Sequence, residues 1–236
     1  MSVKKNDKIL NIPVIIMAGG EGLRLKPLTN ILPKPLLPYG DSTIIENIMN
    51  RFIKFNCKEF YLSVNYKAEI IEFYFSNLKN KNYSIHFVFE EKPLGTAGSL
   101  SLLKNQFKTS IFVTNCDVLI DEDYSEIYKS HKNKNYELTI IATSKSNIIP
   151  YGVVNLDSNG NFANIIEKPQ TTYIINCGMY ILEPHLLNEI PDNMFYHITE
   201  LIQNIKNRNG KIGVFLIDEK NWIDAGNIEN LNFSKV

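Results

Sequence analysis

AGGEGLRLKPLTNILPKPL, residues 18–36, follows the short apolar run 14–17 and gathers Gly19, Gly20, Gly22, Arg24, Lys34 and three prolines into nineteen residues. The run reads as a first β-strand, and in open parallel sheets binding sites lie beyond the carboxyl ends of the strands, here at Ala18. The three glycines can take positive φ and let backbone N–H groups approach an anion without interference from Cβ, so the loop can form a phosphate-cradling nest. Arg24 and Lys34 add fixed charge to it. Pro27, Pro33 and Pro35 limit the freedom of the connection, reducing the entropy lost when both cations converge on one ligand. Two common phosphate patterns fail: no Gly-Lys pair stands where GxxxxGK[ST] needs one, and GxGxxG begun at Gly20 meets Leu25 in place of its third glycine.

The rest of the composition narrows the class. With 236 residues, 44% hydrophobic and 21% charged, the chain can bury a substantial core. Its 25 basic and 25 acidic side chains cancel, leaving no global field toward nucleic acid or an anionic membrane, so neither is expected as a partner. Cys57, Cys116 and Cys177 stand far apart with no CxxC pair, which fits buried thiols in a reducing compartment and excludes a disulfide scaffold or zinc knuckle. The basic opening MSVKKNDK leads into a run cut by Asn11 and Pro13, unlike a signal peptide, and no later run approaches the ~20 apolar residues of a spanning helix. A cytoplasmic location is expected.

Short β-branched or aromatic runs at 14–17, 59–64, 85–89, 111–114 and 138–142 alternate with helical patterns, the signature of βαβ units. Ile44, Ile45, Ile48, Met49, Phe52 and Ile53 recur at helical spacing, with Asp41 and Ser42 as candidate caps; 69–78, 96–103 and 124–132 are the other predicted helices. This predicts an α/β fold: a Rossmann-like, mixed but mostly parallel central sheet flanked by helices. After Pro150 the pattern changes to short strands (165–167, 174–182) around a turn at 157–160, then helices at 184–190 and 198–207, a strand at 212–217 and the closing WIDAG. The expected organisation is one domain over 1–236, softly divided into a nucleotide-type half (9–145) and a substrate half (146–236) that share one sheet.

Extended by Leu37, the loop resembles the signature of the sugar-phosphate nucleotidylyltransferases, close to GGxGTRLxPLTxxxPKP. Further segments stand in family order: EEKPLGTAGSL (90–100), NCDVL (115–119), PYGVV (150–154), EKP (167–169) with NCG (176–178), and WIDAG (222–226). The resemblance covers nearly the whole chain and is closest to the guanylyltransferase-like branch. It implies a magnesium-dependent enzyme that joins a nucleoside triphosphate to a sugar 1-phosphate by in-line attack on the α-phosphorus, expelling pyrophosphate and feeding surface glycan synthesis. Such chemistry is mainly positioning and charge neutralisation. By resemblance, Arg24 would bind the leaving pyrophosphate, Lys34 the α-phosphate, and Ala18, Gly19, Gly20 and Gly22 the nucleotide.

Asp117 follows the apolar strand IFVTN, and Asp224 sits in WIDAG; one carboxylate from each half suits Mg2+, which takes a few hard oxygens plus phosphates and water. Glu167 can accept from two sugar hydroxyls and Lys168 can hold the sugar phosphate, while Gly152 permits close approach to the ring and Asn176 offers a donor and an acceptor. For the base, related readers of uracil or thymine commonly carry glutamine near the position of Glu90. A carboxylate has only acceptors and suits the adjacent N–H groups of guanine, which makes GTP the first choice, with Gly95 and Thr96 near the base. Glu91 is adjacent, and a slip of one residue would move the role to it. The family's threonine before the arginine is Leu23 here, which removes a hydroxyl from the triphosphate loop. His86, His131, His185 and His197 show no ligand spacing and read as surface or packing residues.

Alternative readings are a cytidylyltransferase using CTP and phosphocholine, which would need an aromatic cage; a silent nucleotide-sugar-binding regulator, which the retained Arg24, Lys34, Asp117 and Asp224 argue against; and a glycosyltransferase, whose DxD motif Asp117-Val118-Leu119 does not supply. A homodimer is the common oligomeric expectation.

Overall fold

A computed structural model describes residues 8–79 and 81–230; most of the basic opening segment lies outside them. The described chain runs β1 (Val14–Met17), β2 (Pro38–Tyr39), β3 (Ser42–Thr43), α1 (Ile44–Ile53), β4 (Glu59–Val64), α2 (Ala68–Asn77), β5 (Ser84–Phe89), β6 (Ile111–Asn115) and β7 (Val118–Ile120). It continues through α3 (Tyr124–Asn133), β8 (Leu138–Ile148), β9 (Gly152–Leu156), β10 (Phe162–Glu167), β11 (Gln170–Leu182), α4 (Ile198–Asn207), β12 (Ile212–Ile217) and β13 (Trp222–Asp224). Seven strands form one sheet in the order β12-β8-β11-β6-β1-β4-β5. β5, β4, β1 and β6 are mutually parallel, as are β8 and β12, while β11 runs antiparallel to both neighbours. The expected mixed, mostly parallel sheet is therefore observed.

Alternation along the central strands divides the core between the two sheet faces. Val14 and Ile16 join a cluster with Ile45, Phe52, Phe75 and Ile127, whereas Ile15 joins Leu100, Leu187, Leu201 and Ile205 on the other side. Helices α1, α2 and α3 cover the first face and α4 the second. Phe52 anchors the first layer, its ring centroid 5.2 Å from Phe112 and 4.6 Å from Tyr124, and burying each such side chain contributes about 1.5–3 kcal/mol.

Several sequence expectations are corrected. The cap of α1 is Thr43, not Asp41 or Ser42: its hydroxyl accepts from the Glu46 amide while Glu46 reaches back to the Thr43 amide, a reciprocal capping box. The helices expected over 96–103 and 184–190 are 3-10 segments, Gly98–Leu103 and Pro184–Glu189. In the first, Leu100 N donates to Ala97 O and Lys104 N to Ser101 O, i to i−3 bonds, while the amides of Ala97 and Gly98 at its start are taken by Tyr196 O; the second is likewise closed by i to i−3 bonds and is only six residues long. The strands expected over 138–142 and 174–182 are longer at their outer ends, running to Ile148 and from Gln170.

Candidate active site

Strand register builds the site. Met17 pairs with Ser63 on one side and Asn115 on the other, and Val64 pairs with Phe89, so four parallel strands end almost level. The residues that follow them, Ala18, Asn65, Glu90 and Cys116 with Asp117, emerge along one edge of the sheet.

The glycine loop is staked to that edge. Ala18 N donates to Ser63 O at 2.7 Å, and Lys67 reaches across to the carbonyls of Asn30 and Ile31 at 2.6 and 3.0 Å. Gly22 is left-handed (φ 66°), and the Thr29 hydroxyl donates to its carbonyl at 3.1 Å. Gly19 and Gly20 are not left-handed, contrary to the expectation of positive φ; a Cβ on Gly19 would lie 2.7 Å from Glu90 Oε1, so close approach, not backbone handedness, requires glycine there. The loop thereby delivers Lys34 to Asp117, to whose Oδ2 its ammonium donates.

Lys34 and Asp117 have side chains only 14% and 8% exposed. Burial pulls the pKa of the Lys34 ammonium down, but Cys116 and Asp117 outweigh it and hold the value above its ordinary one, against a smaller opposing effect of Arg24. Cys116 itself is pushed up to about 11, chiefly by burial, and is a thiol at neutral pH.

Asp224 arrives from the far end of the chain. The short ladder between β7 and β13 sets Asp224 opposite Val118, and Ala225 N donates to Asp117 O at 2.8 Å. Arg24 bridges the two carboxylates, with Nη1 donating to Asp224 Oδ2 at 3.1 Å and Nη2 lying 3.5 Å from Asp117 Oδ2. Gly226 completes the turn: a Cβ there would lie 2.8 Å from Asp224 Oδ1, 2.7 Å from Arg24 Nη2 and closer still to Asp117 Oδ2. Oxygens of both aspartates thus border one small space that any side chain would fill. Two hard carboxylates bordering one space beside the Arg24 and Lys34 cations fit Mg2+.

Glu90 is buried. Its Oε1 accepts from the Ser63 hydroxyl at 2.6 Å and its Oε2 from Leu94 N at 3.0 Å, which leaves further lone pairs on each oxygen. Opposite it, the segment 194–197 lies against the LGTAG run. Tyr196 N donates to Leu94 O at 2.9 Å, and a Cβ on Gly95 (φ 79°) would lie 2.7 Å from Tyr196 O. Gly95 therefore serves backbone packing as well as lining the cleft.

The result is a cleft of about 430 Å³, within the usual range of small-molecule sites. Gly19, Gly20, Arg24, Lys34, Glu90, Gly95, Thr96 and Asp117 line it. Ala18 is buried behind the wall, Gly22 packs against Thr29 and Lys34, and Asp224 adjoins the cleft through Arg24. Glu91, the alternative to Glu90, is exposed and outside the lining. Leu23 is also exposed.

Gly152, Glu167, Lys168 and Asn176 are not part of that lining. Gly152 and Glu167 face each other across β9 and β10, and Lys168 is left-handed (φ 46°) at the bend that follows. Asn176 sits at a β11 irregularity, donating to the Tyr180 hydroxyl at 2.5 Å and accepting from Gly178 N at 2.9 Å. That irregularity presses Gly178 (φ 82°) toward Asn115, joining the NCG and NCD segments.

Sequence reasoning passed over Ser63, Asn115, Phe195, Gly226 and His197. His197 was read with the surface and packing histidines, yet it lines the cleft, its Nδ1 3.3 Å from the Thr96 hydroxyl. No periodic pattern marks these positions; only the NCDVL and WIDAG motifs held a signal, at Asn115 and Gly226.

Comparison with known proteins agrees with this fold. A family model described as nucleotidyl transferase matches residues 13–233. The mannose-1-phosphate guanylyltransferase catalytic subunit beta of Drosophila melanogaster is 37% identical over 185 residues, covering 75% of this chain and 49% of that protein. The chain spans about half the length of the curated relatives it matches. The crystal structure of HddC from Yersinia pseudotuberculosis is 26% identical with a TM-score of 0.72, covering 93% of this chain and 96% of that one. The same protein complexed with GMP-PN is 25% identical with a TM-score of 0.71, over the same shares. With the family model spanning all but the chain's ends, this chain belongs to the nucleotidyl transferase family.

Proposed function

We propose that the protein transfers a guanylyl group from GTP to a sugar 1-phosphate, yielding a GDP-sugar and pyrophosphate. The observation that carries this reading is the meeting, in one cleft, of paired cations and carboxylates at one set of walls with a buried carboxylate acceptor at another. The guanylyltransferase relative and the GMP-PN complex of HddC support the choice of nucleotide.

In this reading a phosphate oxygen of the sugar 1-phosphate forms a bond to the α-phosphorus, and the bond to the oxygen bridging α and β breaks, that oxygen leaving with the electron pair on pyrophosphate. Lys34, held charged beside Asp117, neutralises the α-phosphate as its charge builds up. Arg24, mostly exposed at the mouth, takes the departing pyrophosphate. Backbone N–H groups at Gly19 and Gly20 hold the remaining phosphate oxygens. Asp117 and Asp224 would hold Mg2+, which supplies Lewis-acid charge neutralisation when bound.

Glu90 accepts from the adjacent N–H groups of guanine, with Gly95 and Thr96 beside the base. Gly152, Glu167, Lys168 and Asn176 receive the sugar phosphate, Glu167 through hydroxyls and Lys168 through phosphate charge. Phosphocholine is the weaker substrate: Glu167, Lys168 and Asn176 offer partners for hydroxyls and a phosphate in place of the aromatic cage that a quaternary ammonium needs. Three buried thiols suit the reducing cytoplasm proposed as its location.

The test is pyrophosphate release with Mg2+, crossing GTP, CTP, UTP, dTTP and ATP against a panel of sugar 1-phosphates and phosphocholine. Release with GTP and a sugar 1-phosphate, abolished in Asp117→Asn, is expected. Release only with CTP and phosphocholine would overturn the reading.

A further inference from the structure

Lys67 is out of place in its local setting. It stands as the N-cap of α2, a position that favours Ser, Thr, Asp or Asn, yet its side chain makes no cap bond. It puts a cation at the positive end of the helix macrodipole. Its backbone is left-handed (φ 53°, ψ 38°), a conformation that costs a side chain of this kind energy. Such departures persist only where the surroundings over-determine them, and they gather at functional sites.

The compensation lies outside the helix, in the glycine loop. Lys67 Nζ donates to Asn30 O at 2.6 Å, Ile31 O at 3.0 Å and Thr29 O at 3.3 Å, one carbonyl for each of its protons. The same atom lies 5.3 Å from the centroid of the Tyr66 ring, and the Tyr66 hydroxyl donates to Thr29 O at 3.2 Å. Among the described residues no carboxylate pairs with Lys67, so loop carbonyls and one ring face hold its charge.

The turn that Lys67 grips stands between the two cations of the loop, Arg24 and Lys34. Thr29 is wholly buried, and its hydroxyl donates to Gly22 O. A Cβ on Gly22 would lie 3.0 Å from Lys34 Cβ, so a chain of contacts runs from Lys67 through Thr29 and Gly22 to Lys34. The neighbours of Lys67 tie the other walls to the same turn after β4: Tyr66 N donates to Gly19 O at 3.3 Å and Asn65 Nδ2 to Glu90 O at 2.7 Å.

We propose that Lys67 is a positioning residue for the phosphate side of the cleft: its grip on the 29–31 carbonyls fixes where Lys34 meets the α-phosphate. The inference rests on the transfer reaction proposed above, in which Lys34 neutralises that phosphate. The Glu90 carboxylate is held separately, by Ser63 and Leu94, so the grip bears on rate and not on the choice of base.

Steady-state pyrophosphate release, melting temperature and amide hydrogen exchange of the wild type, Lys67→Met and Lys67→Gly test it. Lys67→Met is expected to lower kcat about 10- to 100-fold, with KM for GTP changed less than about threefold and the preference for GTP over ATP unchanged. Lys67→Gly removes the grip together with the left-handed penalty, so it should melt above Lys67→Met while being as slow. A kcat for Lys67→Met within about threefold of wild type, a loss confined to KM, or a kcat for Lys67→Gly that recovers with its melting temperature would each overturn the proposal. Exchange separates this from the reaction itself: the amides of Leu25, Asn30, Ile31 and Leu32, bonded within the loop, should exchange at least about tenfold faster in either variant. A wild type silent with every nucleotide and sugar 1-phosphate would count against the reaction, and exchange alone would then decide: faster loop exchange upholds the grip, and unchanged exchange overturns it. Should Lys67→Met fail to fold, Lys67→Gly carries the same comparison with the wild type.

Discussion

Ser63 donates its hydroxyl to Glu90 Oε1 at 2.6 Å, and both side chains are buried. With Leu94 N on Oε2 and the Cα of Gly19 close by, this bond sets the plane of the carboxylate. Loss of the hydroxyl leaves a buried acceptor short of a donor, at about 1–3 kcal/mol. Ser63→Ala is predicted to lower the preference for GTP over ATP in kcat/KM about tenfold, and Ser63→Thr to retain it. Lowered thermal stability with unchanged selectivity would show that Ser63 is structural only.

Gly226→Ala should be more damaging than its size suggests. The added methyl would enter the space bordered by Asp117 Oδ2, Asp224 Oδ1 and Arg24 Nη2, while the backbone there has no left-handed φ to forbid alanine. The prediction is a loss of about 100-fold or more in kcat with a small change in melting temperature. Activity within a few-fold of wild type would mean the two carboxylates need not act together.

Lys34 and Arg24 should differ in what their removal does. Lys34 is enclosed with Asp117, so Lys34→Met leaves that carboxylate without its closest counter-charge and is expected to cost about 10²–10³ in kcat. Lys34→Arg should fail to rescue, because a planar guanidinium does not replace a compact ammonium in a closed site. Arg24 is exposed at the mouth, and Arg24→Ala should weaken pyrophosphate inhibition, measured as a raised Ki, with little effect on stability.

Stability should fall with acid in two windows. Burial, the largest influence, holds His131 below its ordinary 6.5 despite Glu183, so below 6.5 the unfolded chain takes up a proton that the folded one resists and stability declines as pH drops. Glu137 is held down to about 2, first by its hydrogen bonds from Arg208, so its contribution is present above 4.5 and is lost as pH falls from 4.5 toward 2. Urea midpoints across this range should show both declines, and Glu137→Gln should make the lower one shallower.

Much of the fold was legible because strand and helix periods were strong: β1, β4, α4 and β12 lie where the runs 14–17, 59–64, 198–207 and 212–217 place them. The outer stretches of β8 and β11 were less so. Residues such as Ser144, Ser146 and Thr172 alternate weakly and pair only with each other's strand, so composition there resembles a loop. Motif positions on the nucleotide side are gathered by strand ends in register, which sequence order can suggest. Phe195 and His197 enter the cleft through tertiary packing of 194–197 on Gly95 and Gly98, and Ser63 reaches Glu90 from β4, contacts between segments distant in the chain that leave no local pattern.

The most direct measurement follows the α-phosphate itself. Incubated with Mg2+, a sugar 1-phosphate and GTP labelled at the α-phosphorus, the protein should place the label in a GDP-sugar while releasing an equal amount of unlabelled pyrophosphate, and Asp117→Asn should do neither. Label recovered in free GMP or GDP, or left in GTP across the whole sugar 1-phosphate panel, would contradict guanylyl transfer as the function of this cleft.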